Sequence, residues 1–190
     1  MNRQFLTRVR TPFRVLIGTL LLSLSLLHTQ GYADSATEIN INADAALERF
    51  RAEVAGADRF LQSAVGVLVF PRVLKAGFGI GGEYGEGVLR MGGTSVEYYS
   101  TAAASIGFQL GAQSKAVFIL FMDSEALEKF RSAQGWRAGV DGSISLIKIG
   151  AGGIVDTNTI QDPMIGFVLT NAGLMYNLTL EGSKFTRLSR

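Results

Sequence analysis

The sequence contains no cysteine and a single histidine, His28. With no cysteine, no disulfide can form, and no cysteine is present to carry a lipoprotein-type anchor. His28 sits in the first 33 residues, so the chain from Asp34 onward has neither residue type. That excludes a Cys/His zinc site and nucleophile systems of the Ser-His-Asp or Cys-His kind, and with them most familiar hydrolases. Proline is scarce, with three residues, and no Pro- or Ser-rich linker divides the chain. One long apolar run exists, at residues 15–27.

That run has a grammar of its own. Residues 1–14 carry Arg3, Arg8, Arg10 and Arg14 and no acid, and the apolar run follows. Gly31 and Ala33 then stand at −3 and −1 of a cleavage site before Asp34. This is the three-part order of a secretory signal peptide, and the run is shorter than the roughly 20 apolar residues that span a bilayer. The expectation is a signal peptide over 1–33, a single domain over 34–190, and a periplasmic or secreted protein, peripheral to the membrane. Four of the 18 basic residues and none of the 16 acids fall in the leader, so residues 34–190 carry 14 against 16, net −2. A nucleic-acid partner resting on overall positive charge is therefore not expected.

The remaining length suits one domain with a real core. Leu47, Phe50 and Val54 recur at i, i+3 and i+7 after a cap at Asn42 or Asp44, with Glu48, Arg49, Arg51 and Glu53 on the other face. The pattern predicts an amphipathic helix. Its polar face mixes both signs, which suits a helix covering a sheet better than the Lys/Arg-rich face of a membrane-surface helix. A short helical piece with Phe60 and Leu61 follows, and residues 34–41 read as polar and fraying. Short strand-like runs fill most of the rest. The run at 117–122, VFILFM, is apolar on both faces and predicts a buried central strand. Asp123 or Ser124 caps a short inserted helix at 125–132, and the last strand, 184–188, is polar enough for an edge. Trp136, the only tryptophan, reads as a core anchor, with an interfacial aromatic as the alternative. The fold class expected is α+β: a strongly curved antiparallel sheet, closing or half-closing into a barrel, with an N-terminal amphipathic helix and one short inserted helix.

Residues 64–91 organise this arrangement. Glycines at 77, 79 and 81 alternate along an extended chain, with Gly82, Gly85 and Gly87 close behind, and glycines at every second position fall on one face and strip it of side chains. Another backbone, a helix or a ligand is expected to approach closely there. The segment also satisfies G-x-G-x-x-G as a string, but that fingerprint needs a helix to begin at once. Here Glu83-Tyr84-Gly85-Glu86-Gly87 and another strand follow, so dinucleotide binding is not expected. Glu83, Glu86 and Glu97 raise carboxylate chemistry, with solvated turn residues as the commoner explanation. Arg72, Lys75, Arg90, Tyr98 and Tyr99 suit a phospholipid headgroup, and scattered cations of a solvated surface read equally well.

Three segments carry a resemblance: GVLVFPRVLKAGFGIGGEYGEGVL, YYSTAAASIGFQLGAQSKAVFILFM and GLMYNLTLEGSKFTRL. In this order they resemble the bacterial branch of the SYLF domain, the lipid-binding and actin-regulator domain of yeast and animal endocytic proteins. The likeness runs from about residue 46 to 188. It implies binding of membrane lipids, no enzymatic activity and no cofactor. Where eukaryotic members carry a tryptophan-serine-proline-like element, this chain reads Tyr98-Tyr99-Ser100-Thr101-Ala102. An exported protein meets neither actin nor abundant phosphoinositides, so lipid binding carries over as a class. Position and chemistry nominate Arg72, Lys75, Gly77, Phe78, Gly79, Arg90, Tyr98 and Tyr99 as lipid-binding residues, with anionic phospholipid headgroups as the partner. The alternative is a periplasmic structural or stress-related module whose partner is another envelope protein.

Overall fold

The first helix begins earlier than the polar residues before Asn42 suggest. In the computed structural model α1 spans Ala36–Glu53, and Ser35 is its cap, accepting from the Glu38 amide at 3.1 Å. Ile39 and Ala43 extend the buried stripe of Ala46, Leu47 and Phe50 by a full turn. Packing of that longer stripe outweighs the modest helix propensity of Thr, Ile and Asn. Gly56, with φ +77°, turns the chain into α2, Ala57–Ser63, which buries Phe60. The structure describes residues 34–107, 113–147, 161–171, 173–174 and 180–190, without the side chains of 78–80, 105–107 and 174.

Among the described residues eight strands form one sheet. They are β1 Gly66–Met91, β2 Thr94–Gly107, β3 Gln113–Phe121, β4 Trp136–Arg137, β5 Ser145–Leu146, β6 Met164–Thr170, β7 Gly173–Leu174 and β8 Lys184–Leu188. The order is β4-β8-β2-β1-β3-β6-β5, with β7 beside β6. The pairs are antiparallel except β5 with β6, so the sheet is mixed rather than purely antiparallel. It curls into a half-barrel with α1 on one face. The inserted helix, α3 Ser124–Ser132, is capped by Asp123, which accepts from the Ala126 amide at 2.9 Å. The last long strand, β8, is covered on its outer side by β4 at Lys184 and Phe185 only, so most of it remains an edge.

The 26 residues of β1, expected as short strand-like runs, form one continuous strand that serves two neighbours. Residues 66–75 pair with β3 and residues 79–91 pair with β2. The ladder with β3 shifts register between Phe70 and Val73, around Pro71, which has no amide proton to give. The later part of the strand lies against the earlier part. A Cβ on Gly85 would stand 2.6 Å from the Arg72 carbonyl oxygen and 2.9 Å from Val73 Cγ2. One on Gly87 would press on the Val69 carbonyl and the Phe70 ring, and one on Gly81 on the Ala76 carbonyl. The expected close approach is therefore made by the strand's own backbone. Gly92 and Gly93, with φ +56° and +82°, form the two-residue turn into β2.

The sheet separates two apolar layers. On one face α1 and α2 pack on Val69, Val88, Phe118, Leu120, Ile165 and Phe167. Phe50 is central there, with ring centroids 4.7 Å from Phe118 and 4.9 Å from Phe167. On the other face Leu127 and Phe130 of α3 meet Phe70, Tyr99, Phe121 and Phe185. Trp136 is buried in this second layer, 5.6 Å from Phe130 and 5.8 Å from Phe185, which makes it a core anchor. The alternation along β3 supplies both layers, so residues 117–121 are all buried. Among the described residues no helix is long and apolar enough to cross a membrane.

Candidate functional site

The eight nominated residues divide into three places. Arg72, Lys75 and Gly77 gather near the bend of β1, where Arg72, Gly77 and the neighbouring Leu74 and Ala76 are exposed. Phe78 and Gly79 belong to the same stretch of strand, and the Phe78 side chain lies outside the description. Arg90 and Tyr98 sit beneath α1. The Tyr98 hydroxyl accepts from the Asn40 side-chain amide at 2.8 Å, and Arg90 donates to the Asp44 carboxylate and the Asn40 carbonyl. Tyr99 points into the other layer, buried beside Phe130, with its hydroxyl donating to Glu97 at 2.6 Å. The period of two explains the separation of the adjacent tyrosines: consecutive side chains go to opposite faces.

The three carboxylates are not solvated turn residues, which corrects that expectation. Each is an ion-pair anchor on the sheet. Glu83 meets Lys115 at 2.6 Å and Lys75 at 3.9 Å. Glu86 is buried, accepting from Tyr84 at 2.8 Å and from Arg190 at 2.6 Å. Glu97, also buried, meets Arg131 and Arg187, each at 2.9 Å. Burial pushes the Glu97 carboxyl upward, but hydrogen bonds from Arg131 and Tyr99 and the charges of Arg131 and Arg187 outweigh it and hold it below the usual range. Burial and the bond to Glu86 push the Tyr84 hydroxyl up to about 12, so it stays protonated at neutral pH. Such acids, each satisfied by its own cation, are poor general acids or bases. No group of three or more potential metal-ligating side chains occurs among the described residues.

Two clefts open near these groups. One, of about 510 Å³, lies between α1, α2 and the β1–β2 turn. Leu47, Leu61, Ala64 and Val67 give it apolar walls, and Asp44, Glu48, Arg51 and Arg90 supply charge. Its glycine wall is open, because no atom lies within 4 Å of a Cβ built on Gly92 or Gly93. Arg90 Nε is buried with no hydrogen-bond partner. A second cleft of about 400 Å³ lies by the C-terminal strand, lined by Val96, Tyr98, Leu188, Arg187 and Arg190. Sequence reasoning nominated Arg90 but missed Asp44 and Arg51 as companions. The usable signal was the spacing 44, 47, 48, 51, which is one stripe of a helix.

No curated protein is detectably similar to the chain. Residues 102–189 match the family model Ysc84, described as Las17-binding protein actin regulator. The match takes in the end of β2 from Ala102, β3, α3 and the strands through β8. Over residues 102–189 the chain is thus similar to the Ysc84 or SYLF domain family, a lipid-binding and actin-regulator-like family of binding domains.

Proposed function

We propose that this protein is an exported, non-catalytic module that binds phospholipid at the cell envelope, with anionic headgroups as its partner. One observation carries the reading beyond the family: the bend of β1 exposes Arg72, Leu74, Ala76 and Gly77 together, with Lys75 alongside. An exposed apolar side chain beside an exposed cation suits the boundary between headgroup and acyl chain. The leader grammar of residues 1–33 supports export. The pairing of Glu83, Glu86 and Glu97 with cations supports the absence of catalysis.

Vesicle co-flotation tests the reading. Vesicles containing phosphatidylglycerol should carry the purified protein, neutral phosphatidylcholine vesicles should carry less, and added salt should release it. A cation near an anionic surface contributes about 1 kcal/mol, so reversing Arg72 and Lys75 to Glu should weaken binding about tenfold or more. Absence of binding to either vesicle type would turn the assignment toward a protein partner at the envelope.

A further inference from the structure

The cleft beside α1 is ordered by depth, and its order points to a particular ligand. Its apolar wall includes the buried Leu47. Above that come the cations, with the Arg90 side chain 14% exposed and paired with Asp44, and that of Arg51 42% exposed and paired with Glu48 at 2.7 Å and Asp58 at 3.3 Å. The carboxylates are outermost, Asp44 at 64% and Glu48 at 75%. From floor to rim the lining therefore runs apolar, positive, negative. Its complement is an apolar stem, then an anion, then a cation at the outer end, the two ligand charges exchanging for the halves of the existing Arg51–Glu48 and Arg90–Asp44 pairs.

We propose that this cleft binds a phosphoethanolamine-type zwitterion: phosphate toward Arg51 and Arg90, ammonium toward Asp44 and Glu48, and any acyl stem along Leu47, Leu61 and Val67. A purely anionic headgroup would bring its outer oxygens against two exposed carboxylates, which disfavours it. Arg90 supports a bound anion independently. Its two terminal nitrogens are engaged by Asp44 and the Asn40 carbonyl, while Nε is left unpartnered in a buried position. A phosphate arriving beside the guanidinium gives that donor an acceptor after a small side-chain shift. The open glycine turn provides entry, since Gly92 and Gly93 place no side chain across it. The site is separate from the β1 bend, and it rests on the lipid reading only for the source of the zwitterion.

The test uses soluble ligands and the purified protein. Dihexanoyl-phosphatidylethanolamine below its micelle concentration, dihexanoyl-phosphatidylglycerol and free phosphoethanolamine are titrated by calorimetry, with amide spectra recorded in parallel. Saturable binding of the ethanolamine lipid that moves the Gly92 and Gly93 amide resonances is expected, with the glycerol lipid about fivefold weaker or more. Glu48→Lys should remove that preference, and Gln62→Trp, at an exposed lining position, should block the cleft. Lys129→Gln, on the far side of the sheet, should change nothing. Stronger binding of the lipid than of free phosphoethanolamine assigns the site to a lipid headgroup, and equal binding assigns it to the soluble zwitterion. Equal or tighter binding of the glycerol lipid overturns the proposal, as do shifts that spare Gly92 and Gly93. Vesicle binding without any titration of the ethanolamine lipid removes the cleft site and leaves the proposed function standing. Failure in both assays removes both.

Discussion

Glu97 shows what a buried charge does in this molecule. It sits on β2 between two arginines from different elements, Arg131 of α3 and Arg187 of β8, and takes a third hydrogen bond from Tyr99. Removing the hydroxyl by Tyr99→Phe deletes a hydrogen bond to a charged acceptor and should cost about 1.5 kcal/mol in urea unfolding. The pH dependence follows from the lowered Glu97 pKa. A carboxylate held below its unfolded value of 4.5 stabilises the fold fully above that pH, and the contribution disappears as pH falls through the lower folded value. The stability gap between wild type and Glu97→Gln should thus be constant from neutral pH to about 4.5 and close below it. A gap that stays open in acid would mean that the side chain acts by shape, not charge.

At the scale of elements, β1 is the piece whose glycines matter unequally. Gly85 has the Arg72 carbonyl and Val73 where its side chain would be, and backbone cannot move aside cheaply. Gly85→Ala should therefore destabilise the fold by about 1–3 kcal/mol, the range for overpacking a filled space. Gly82 lies three positions earlier, and the nearest atom to its Cβ is the Ala103 carbonyl at an ordinary 3.7 Å. Gly82→Ala should be neutral or mildly stabilising, since alanine restricts the unfolded chain. Thermal unfolding of the two variants side by side separates a strand that needs thinness at one face from one that is merely glycine-rich.

For the whole molecule, the sheet is shared between the two apolar layers, because β1, β3 and β6 each send residues into both. The layers should melt together. Phe50→Ala empties the α1 side and should cost about 3–5 kcal/mol. Trp136 reports from the opposite layer, so its fluorescence transition should shift as far as the far-ultraviolet circular dichroism does. A tryptophan transition left in place by Phe50→Ala would show two units that unfold independently. The same architecture bears on binding: both clefts and the β1 bend lie on a framework held from two sides, so vesicle and soluble-ligand assays can be read on variants that keep the fold.

The sequence by itself determined the composition-level exclusions, the buried central strand, the cap and inward face of α3, and the close approach at the glycines. These are local properties, set by periodicity, capping chemistry and the missing Cβ. It also carried the family resemblance. Only the tertiary structure decided that β1 is a single strand folded against itself, because pairing with β2 on one stretch and β3 on another is a non-local choice. The start of α1 was hidden for a similar reason: Ile39 and Ala43 count toward the helix only once there is a sheet for them to cover. The separation of Tyr98 from Tyr99, the partners of the three glutamates and the depth order of the cleft each depend on residues distant in sequence. Charges can be counted along a chain, but their screening and pairing are set by what the fold brings beside them.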